Sequence, residues 1–164
     1  PADHGGRSPM KPHIAVLGSL NMDLVIRSPR IPQPGETIIG GDFQTIPGGK
    51  GANQAVAAAR LGADVSLIGR LGDDSFADVL LDNLVASHVD ALHITRDQQA
   101  ATGVALIVVD DRGENSIVVA SGANMQVSEQ DVNAAEGVIA GADVLVLQLE
   151  VPIPAVYRAA QIAA

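Results

Sequence analysis

At 164 residues the chain can hold one domain with a sizeable core; with 47% hydrophobic and only 2% aromatic residues that core is aliphatic, and base-stacking platforms are lacking. The net charge of −9 argues against nucleic acid and an anionic membrane surface as partners, since both call for Lys and Arg. No cysteine is present, which excludes disulfides and thiolate metal sites and fits a cytoplasmic enzyme, and no apolar run nears the ~20 residues of a membrane span.

Pro1 to Pro9 is polar and punctuated by Gly and Pro, with no apolar signal segment, and reads as a flexible tail or tag before a start at Met10. Ile14 to Gly18 is an apolar run ending in Gly, the pattern of a central parallel strand, with Asn21 and Asp23 just past its end. Pro29, Pro32 and Pro34 mark an extended loop, and Glu36 to Phe43 reads as a short strand. Ala52 to Leu61 holds helix formers at nearly every position, which predicts a helix from about Gly51 to Leu61, stopped by Gly62. Val65 to Gly69 is a second buried strand. Ser75 to Ala86 is a second helix, with an apolar stripe at Phe76, Val79, Leu80, Leu84 and Val85. A βαβα order implies a parallel sheet with right-handed crossovers.

The rhythm breaks at Thr102, where Val104 to Val109 and Asn115 to Ala120 flank Asp110-Asp111-Arg112-Gly113-Glu114, a hairpin signature. Both strands are apolar on both faces, so with Glu36 to Phe43 they predict a small separate sheet covered on both sides; the plainer alternative is one more hairpin in the main core. Ser128-Glu129-Gln130-Asp131 is an N-cap with acids in the first turn of a helix running to about Ala140. Asp143 to Leu149 is a further apolar strand, expected inside a parallel sheet with neighbours on both edges. Pro152 and Pro154 open a last helix, Ala155 to Ala164, which has no C-cap and reads as cut rather than finished.

The chemical signal starts at Pro47-Gly48-Gly49-Lys50-Gly51-Ala52-Asn53, a glycine loop running into a helix N-terminus. Glycine lets backbone approach a ligand, and first-turn N–H groups have no intrahelical partner. Two phosphate motifs fail there: Lys50 is followed by Gly51 and not Ser or Thr, and Gln54 stands where a dinucleotide fingerprint needs Gly. Taken alone, the loop reads as a plain turn without a ligand. Asn21, Asp23, Gly49 to Asn53 and Glu150 nevertheless fall at the carboxyl ends of predicted parallel strands, where open α/β sheets bind ligands. Carboxylates accept from adjacent hydroxyls while Asn and backbone N–H groups donate, so the set suits a sugar. The plainer readings are turn formation for Asn21 and Asp23, helix capping for Asn53 and Glu150, and a solvated charge for Lys50. His13, His88 and His93 have no triad or metal spacing, and Asp73-Asp74 reads as a cap for the helix near Ser75.

The collinear set Gly18-Ser19-Leu20-Asn21-Met22-Asp23, Pro34-Gly35-Glu36-Thr37, Gly48 to Asp74, Thr102-Gly103-Val104-Ala105, Gly122-Ala123-Asn124 and Gln148-Leu149-Glu150 resembles the ribokinase family of carbohydrate kinases, also called the phosphofructokinase-B family. The likeness runs from about Ile14 to the last residue. Fructokinases and ketodeoxygluconate kinases resemble the chain less at Asn21-Met22-Asp23 and Lys50-Gly51-Ala52-Asn53-Gln54. The resemblance implies a Rossmann-like three-layer α/β/α sandwich with a small β-sheet lid, its strands near residues 36–43 and 102–120, and a homodimer formed by two lids. It implies ATP-dependent phosphorylation of D-ribose to D-ribose 5-phosphate, with Mg2+ and a monovalent cation, K+, as further cofactors. Asn21, Asp23, Gly49, Asn53 and Glu150 match ribose-contacting positions, with Lys50 and Gly51 in the same loop. The family's catalytic aspartate and anion hole lie in a Gly-Ala-Gly-Asp segment of the second half of its chain, and these residues contain no such segment. The expectation is therefore an N-terminal half that carries the sugar site and lid but no catalytic residue, inactive by itself. The alternative is a non-catalytic sugar-binding or dimerising half-protein; a nucleotide-binding Rossmann domain is weakened by the two failed motifs.

Overall fold

A computed structural model describes residues 11–164; the expected tail at 1–9 and the start at Met10 lie outside the described residues. Strands β1 (His13–Leu17), β4 (Asp64–Gly72), β5 (Val89–Asp97) and β8 (Val144–Leu147) form a parallel sheet in the order β5-β4-β1-β8. Strands β2 (Asn21–Arg27), β3 (Phe43–Gly48), β6 (Gly103–Val109) and β7 (Asn115–Ala120) form a second, mixed sheet in the order β3-β2-β6-β7. The helices are α1 (Lys50–Arg60), α2 (Ser75–Ala86), α3 (Glu129–Ala134), α4 (Glu136–Ala140) and α5 (Ile153–Ala163).

Side chains alternate across a strand, so β1 feeds two cores. Val16 packs with Leu67, with Ala52 and Ala55 of α1, and with Leu80 and Leu84 of α2. Ala15 and Leu17 pack on the other face with Ile68, Val132 of α3, Ile139 of α4 and Ala155 of α5. Helices on both faces of a parallel sheet make the three-layer sandwich that the resemblance implied, and burial on both faces explains why the centre of β1 and Leu67-Ile68 of β4 read as apolar runs. The helix starts follow the local chemistry. Asp74 caps α2 by accepting from the Ala77 N–H at 3.0 Å, and Ser128 and Asp131 form a reciprocal capping box at α3.

Several boundaries differ from the sequence reading. Glu36 to Phe43 is not a strand: Gly40 and Gly41 intervene, and pairing with β2 begins only at Phe43. Pro47 is tolerated in β3 because that strand is the sheet edge. Asn21 and Asp23 are not in a turn after β1 but inside β2, which the pattern did not reveal, and β5 was also unforeseen. In α2 the buried residues are Ala77, Leu80 and Leu84, whereas Val79 and Val85 face outward. The helix from Glu129 breaks at Ala135 into α3 and α4. Strand β8 is shorter than Asp143 to Leu149 and, among the described residues, pairs with β1 alone. The hairpin does form a separate sheet, but β7 is exposed along its whole length and so is not covered on both sides by the described residues.

Candidate functional site

The chain leaves β1 and enters β2 through only Gly18, Ser19 and Leu20, so the two sheets meet at one tight corner. Distant segments hold that corner from several sides. The Gly18 N–H donates to Ile68 O at 3.3 Å, and the Ala52 N–H of α1 donates to Ser19 O at 3.0 Å. Gln148 Oε1 accepts from the Ser19 N–H at 3.0 Å, and Asn124 Oδ1 accepts from the Leu20 N–H at 2.9 Å. The corner lies at the carboxyl end of β1, where parallel sheets bind ligands.

Gly49 is the N-cap of α1, with φ 93° and no side-chain cap. A side chain there would meet Ser19 O at 2.6 Å and Leu20 Cα at 2.7 Å, so only glycine lets the loop lie this close to the corner. Gly48 leaves space of another kind: a Cβ would overlap the carboxylate of Asp23, which rests on the bare backbone of β3.

A cavity of about 150 Å³ opens between the corner and the second sheet. It is lined by Asn21, Asp23, Gly49, Lys50, Asn53 and Glu150, with Ala105, Ile107, Ile117 and Val119 as its apolar wall. Six of the seven residues singled out from the sequence thus share one cavity, drawn from three segments up to 129 positions apart in the chain. Gly51 is the exception: it is buried against Gly18, so its place is in the packing of α1 on β1 and not in the cavity wall. A second cavity of about 290 Å³, lined by Ser19, Asn21, Asn124 and Glu150 among others, adjoins the first at Asn21, Val119 and Glu150.

The two carboxylates differ in electrostatic setting. Burial, then the neighbouring Glu150 charge, push Asp23 above the ordinary aspartate range, with the Lys50 charge opposing both. Burial also works against the charge of Glu150, but hydrogen bonds from Lys50 and Ser19 and the Lys50 charge outweigh it and hold Glu150 below the usual range. Glu150 is ion-paired with Lys50 through Oε1 and accepts from Ser19 Oγ at 2.9 Å through Oε2. The cavity therefore offers two acceptor groups, an ammonium and two carboxamides around a volume suited to a small polyhydroxylated molecule.

Ser19, Gln148 and Asn124 were not singled out as site residues, although all three stand in quoted motifs. Their roles come from hydrogen bonds across more than 100 residues, which no local pattern carries. Asp73-Asp74 behaves as expected, with Asp74 capping α2 and also accepting from the Thr102 N–H at 2.8 Å. Asn133 and Glu136 flank the α3–α4 break outside the cavity, and Asn133 Oδ1 accepts from Arg158 Nε at 2.6 Å. Among the described residues no group of three or more His, Asp or Glu is gathered for a metal, and no helix is long and apolar enough to cross a membrane.

Comparison with known proteins places this geometry in a family. The description "pfkB family carbohydrate kinase" matches residues 11–164. A ribokinase of Haemophilus influenzae is 48% identical over 154 residues, 94% of this chain and 50% of its own length. One from Staphylococcus aureus is 44% identical over 92% of this chain and 50% of its own length. Among solved structures, Arabidopsis thaliana ribokinase complexed with ribose and ATP superposes with a TM-score of 0.81 at 32% identity, over 94% of this chain and 50% of that one. The chain spans about half the length of the curated relatives it matches. From residue 11 to residue 164 it belongs to the pfkB family of carbohydrate kinases.

Proposed function

We propose that these residues form the sugar-binding and lid half of a kinase that uses ATP to convert D-ribose to D-ribose 5-phosphate. The observation that carries the reading is the single cavity joining Asn21, Asp23, Gly49, Lys50, Asn53 and Glu150, in a chain that is 48% identical to a ribokinase. Asp23 and Glu150 accept from sugar hydroxyls through charge-assisted bonds, Asn21, Asn53 and Lys50 donate, and the second sheet lies over the sugar as a lid. The reading includes Mg2+ and K+ alongside ATP and a cytoplasmic setting where ATP is supplied. The donor set described here does not fit a metal, so no residue is assigned to either cation, and none to ATP. A homodimer through the lid belongs to the same proposal, supported by exposed Leu106 and Val118, which pair across β6 and β7 on the face turned away from the cavity.

The test pairs calorimetric ribose titration with a coupled ADP-release assay containing ribose and Mg-ATP. The whole protein is expected to bind ribose and release ADP in a ribose-dependent manner, whereas residues 1–164 alone are expected to give no turnover, since phosphoryl transfer needs a positioned base and anion site. Absence of ribose binding by the whole protein would overturn the reading. Sustained turnover by residues 1–164 would place the catalytic group within this stretch.

A further inference from the structure

We propose that Asn124 is a positioning residue that orients the carboxamide of Asn21 so that its amino group, and not its oxygen, faces the sugar; the proposal rests on the ribose-binding reading above. Asn124 is 1% exposed and sits in a short 3-10 turn, Gly122–Gln126. Its Oδ1 accepts from the Leu20 N–H at 2.9 Å and its Nδ2 donates to Leu20 O at 2.9 Å. A backbone N–H can only donate and a carbonyl can only accept, so these two bonds leave the Asn124 amide one orientation. Its remaining N–H reaches Asn21 at 2.8 Å, and the atom it meets must be an acceptor, Oδ1. Asn21 Nδ2 is thereby turned the other way, toward the cavities that Asn21 lines, with no protein partner among the described residues.

Gly103 makes room for this arrangement. A Cβ at that position would overlap both Asn21 Oδ1 and Asn124 Nδ2, the two atoms that bond each other. Thr102-Gly103 and Gly122-Ala123-Asn124 thus act as one device at the corner, joined by the Ala123 N–H donating to Ala101 O at 2.8 Å. The chemical consequence is directional. Asp23 and Glu150, when ionised, can only accept from a sugar hydroxyl, so a hydroxyl that donates to them still needs a donor for its own lone pairs. An amide locked with Nδ2 outward supplies that donor without the cost of choosing between its two flips on binding. A sugar lacking the hydroxyl opposite Asn21 leaves Nδ2 unpaired, which makes the locked amide a selector for hydroxyl over hydrogen at one sugar carbon.

The experiment is calorimetric titration of the whole protein with D-ribose and its four single-deoxy analogues at carbons 1, 2, 3 and 5, repeated with Asn124→Ala and with Gly103→Ala. For the parent, the analogue lacking the hydroxyl opposite Asn21 is expected to bind roughly three- to tenfold more weakly than ribose. In both variants that discrimination is expected to fall to near one, while discrimination against the other deoxy sugars persists. A uniform weakening toward all five sugars, with every ratio unchanged, would reduce Asn124 to a structural role and overturn the proposal. Should neither variant fold, the parent supplies the deciding measurement: the Asn21 side-chain NH2 resonances must move on adding ribose and stay in place with the critical deoxy analogue, and an unresponsive pair overturns the proposal. A parent that binds no ribose removes the ribose site and the inference together.

Discussion

Strands of equal apolar character meet opposite fates in the two sheets. Ala15, Val16 and Leu17 of β1 are 0% exposed, while Ile117, Val118 and Val119 of β7 are 49%, 66% and 49% exposed. Both segments are runs of branched aliphatic and small residues, so residue type does not separate them. What separates them is cover: β1 lies between β4 and β8 with helices above and below, whereas β7 is an edge strand that lines the cavity with Ile117 and Val119 and turns Val118 away. The central sheet spends its hydrophobicity on its own stability and the lid keeps its hydrophobicity available. The polar site residues gather where one regime gives way to the other, at the corner Gly18 to Asn21.

The sharpest way to break that division is to disturb the corner itself. Gly49→Ala puts a side chain at φ 93° and into the backbone of Ser19 and Leu20. The strained conformation and the overlap together are expected to cost about 3–5 kcal/mol of folding stability, read as a drop in the urea midpoint. A loss below about 1 kcal/mol would mean that the loop can withdraw from the corner and that the close approach is not required.

Asp23→Ala asks whether the lid contributes chemistry as well as cover, because Asp23 reaches the cavity from β2. Loss of a charge-assisted hydrogen bond is expected to cost about 1.5–3 kcal/mol of ribose affinity by calorimetry. Gly48→Ala should reproduce part of that loss, since a Cβ there displaces the same carboxylate. Unchanged affinity in Asp23→Ala would return the residue to a purely structural role in β2.

The same carboxylate gives a pH signature of graded size. Burial and Glu150 raise the Asp23 pKa, so its charged form is disfavoured and protonation begins above the usual aspartate range as pH falls. Glu150, held below its usual range despite burial by Lys50 and Ser19, stays charged over that interval. Ribose affinity is therefore expected to decline with falling pH at a midpoint higher than a free aspartate gives. Glu150→Gln removes the repelling charge and should move that midpoint to lower pH. A midpoint indifferent to Glu150 would show that the two carboxylates do not sense each other.

How much of this was readable from the sequence divides along the same line. Strands β1, β4 and β8 could be located from their apolar runs and α2 starts at Ser75 as its Asp74 cap predicted, whereas β5, interrupted by Asp90, His93 and Arg96, gave no such run. The lid was harder. In β2, Asn21 and Asp23 are poor strand formers and mimic a turn, and only pairing with β3 and β6 holds them extended. Glu36 to Phe43 misled for the converse reason, since its Ile38 and Ile39 suggest a strand that Gly40 and Gly41 interrupt. That Asn21, Asp23, Asn53 and Glu150 come together was legible to the extent that they were expected at the carboxyl ends of parallel strands, and they do line one cavity. The partners that aim them were not. The Asn124–Asn21 and Ser19–Glu150 bonds join positions more than 100 residues apart and depend on how the corner closes.

The smallest expected effect is the most direct test of the contrast between the sheets. Val→Thr replaces a methyl by a hydroxyl of nearly the same size, so shape is kept and only polarity changes. At Val16, 0% exposed and enclosed by α1 and α2, the new hydroxyl is expected to cost about 1–3 kcal/mol of stability. At Val118, 66% exposed on the outer lid surface of one chain, the same change is expected to stay within about 0.5 kcal/mol at concentrations where the protein is monomeric, and to cost more where the proposed lid-to-lid dimer covers it. Parallel urea titrations of the two variants give the ratio. If Val118→Thr instead costs as much as Val16→Thr, the outer lid surface is buried in solution, and the proposed lid-to-lid dimer is the cover to look for. Light scattering across a concentration series then decides, because a buried lid predicts a dimer that the substitution weakens. A monomer at every concentration, with Val118→Thr still costly, would refute the lid-to-lid dimer and require this chain's own residues to cover β7.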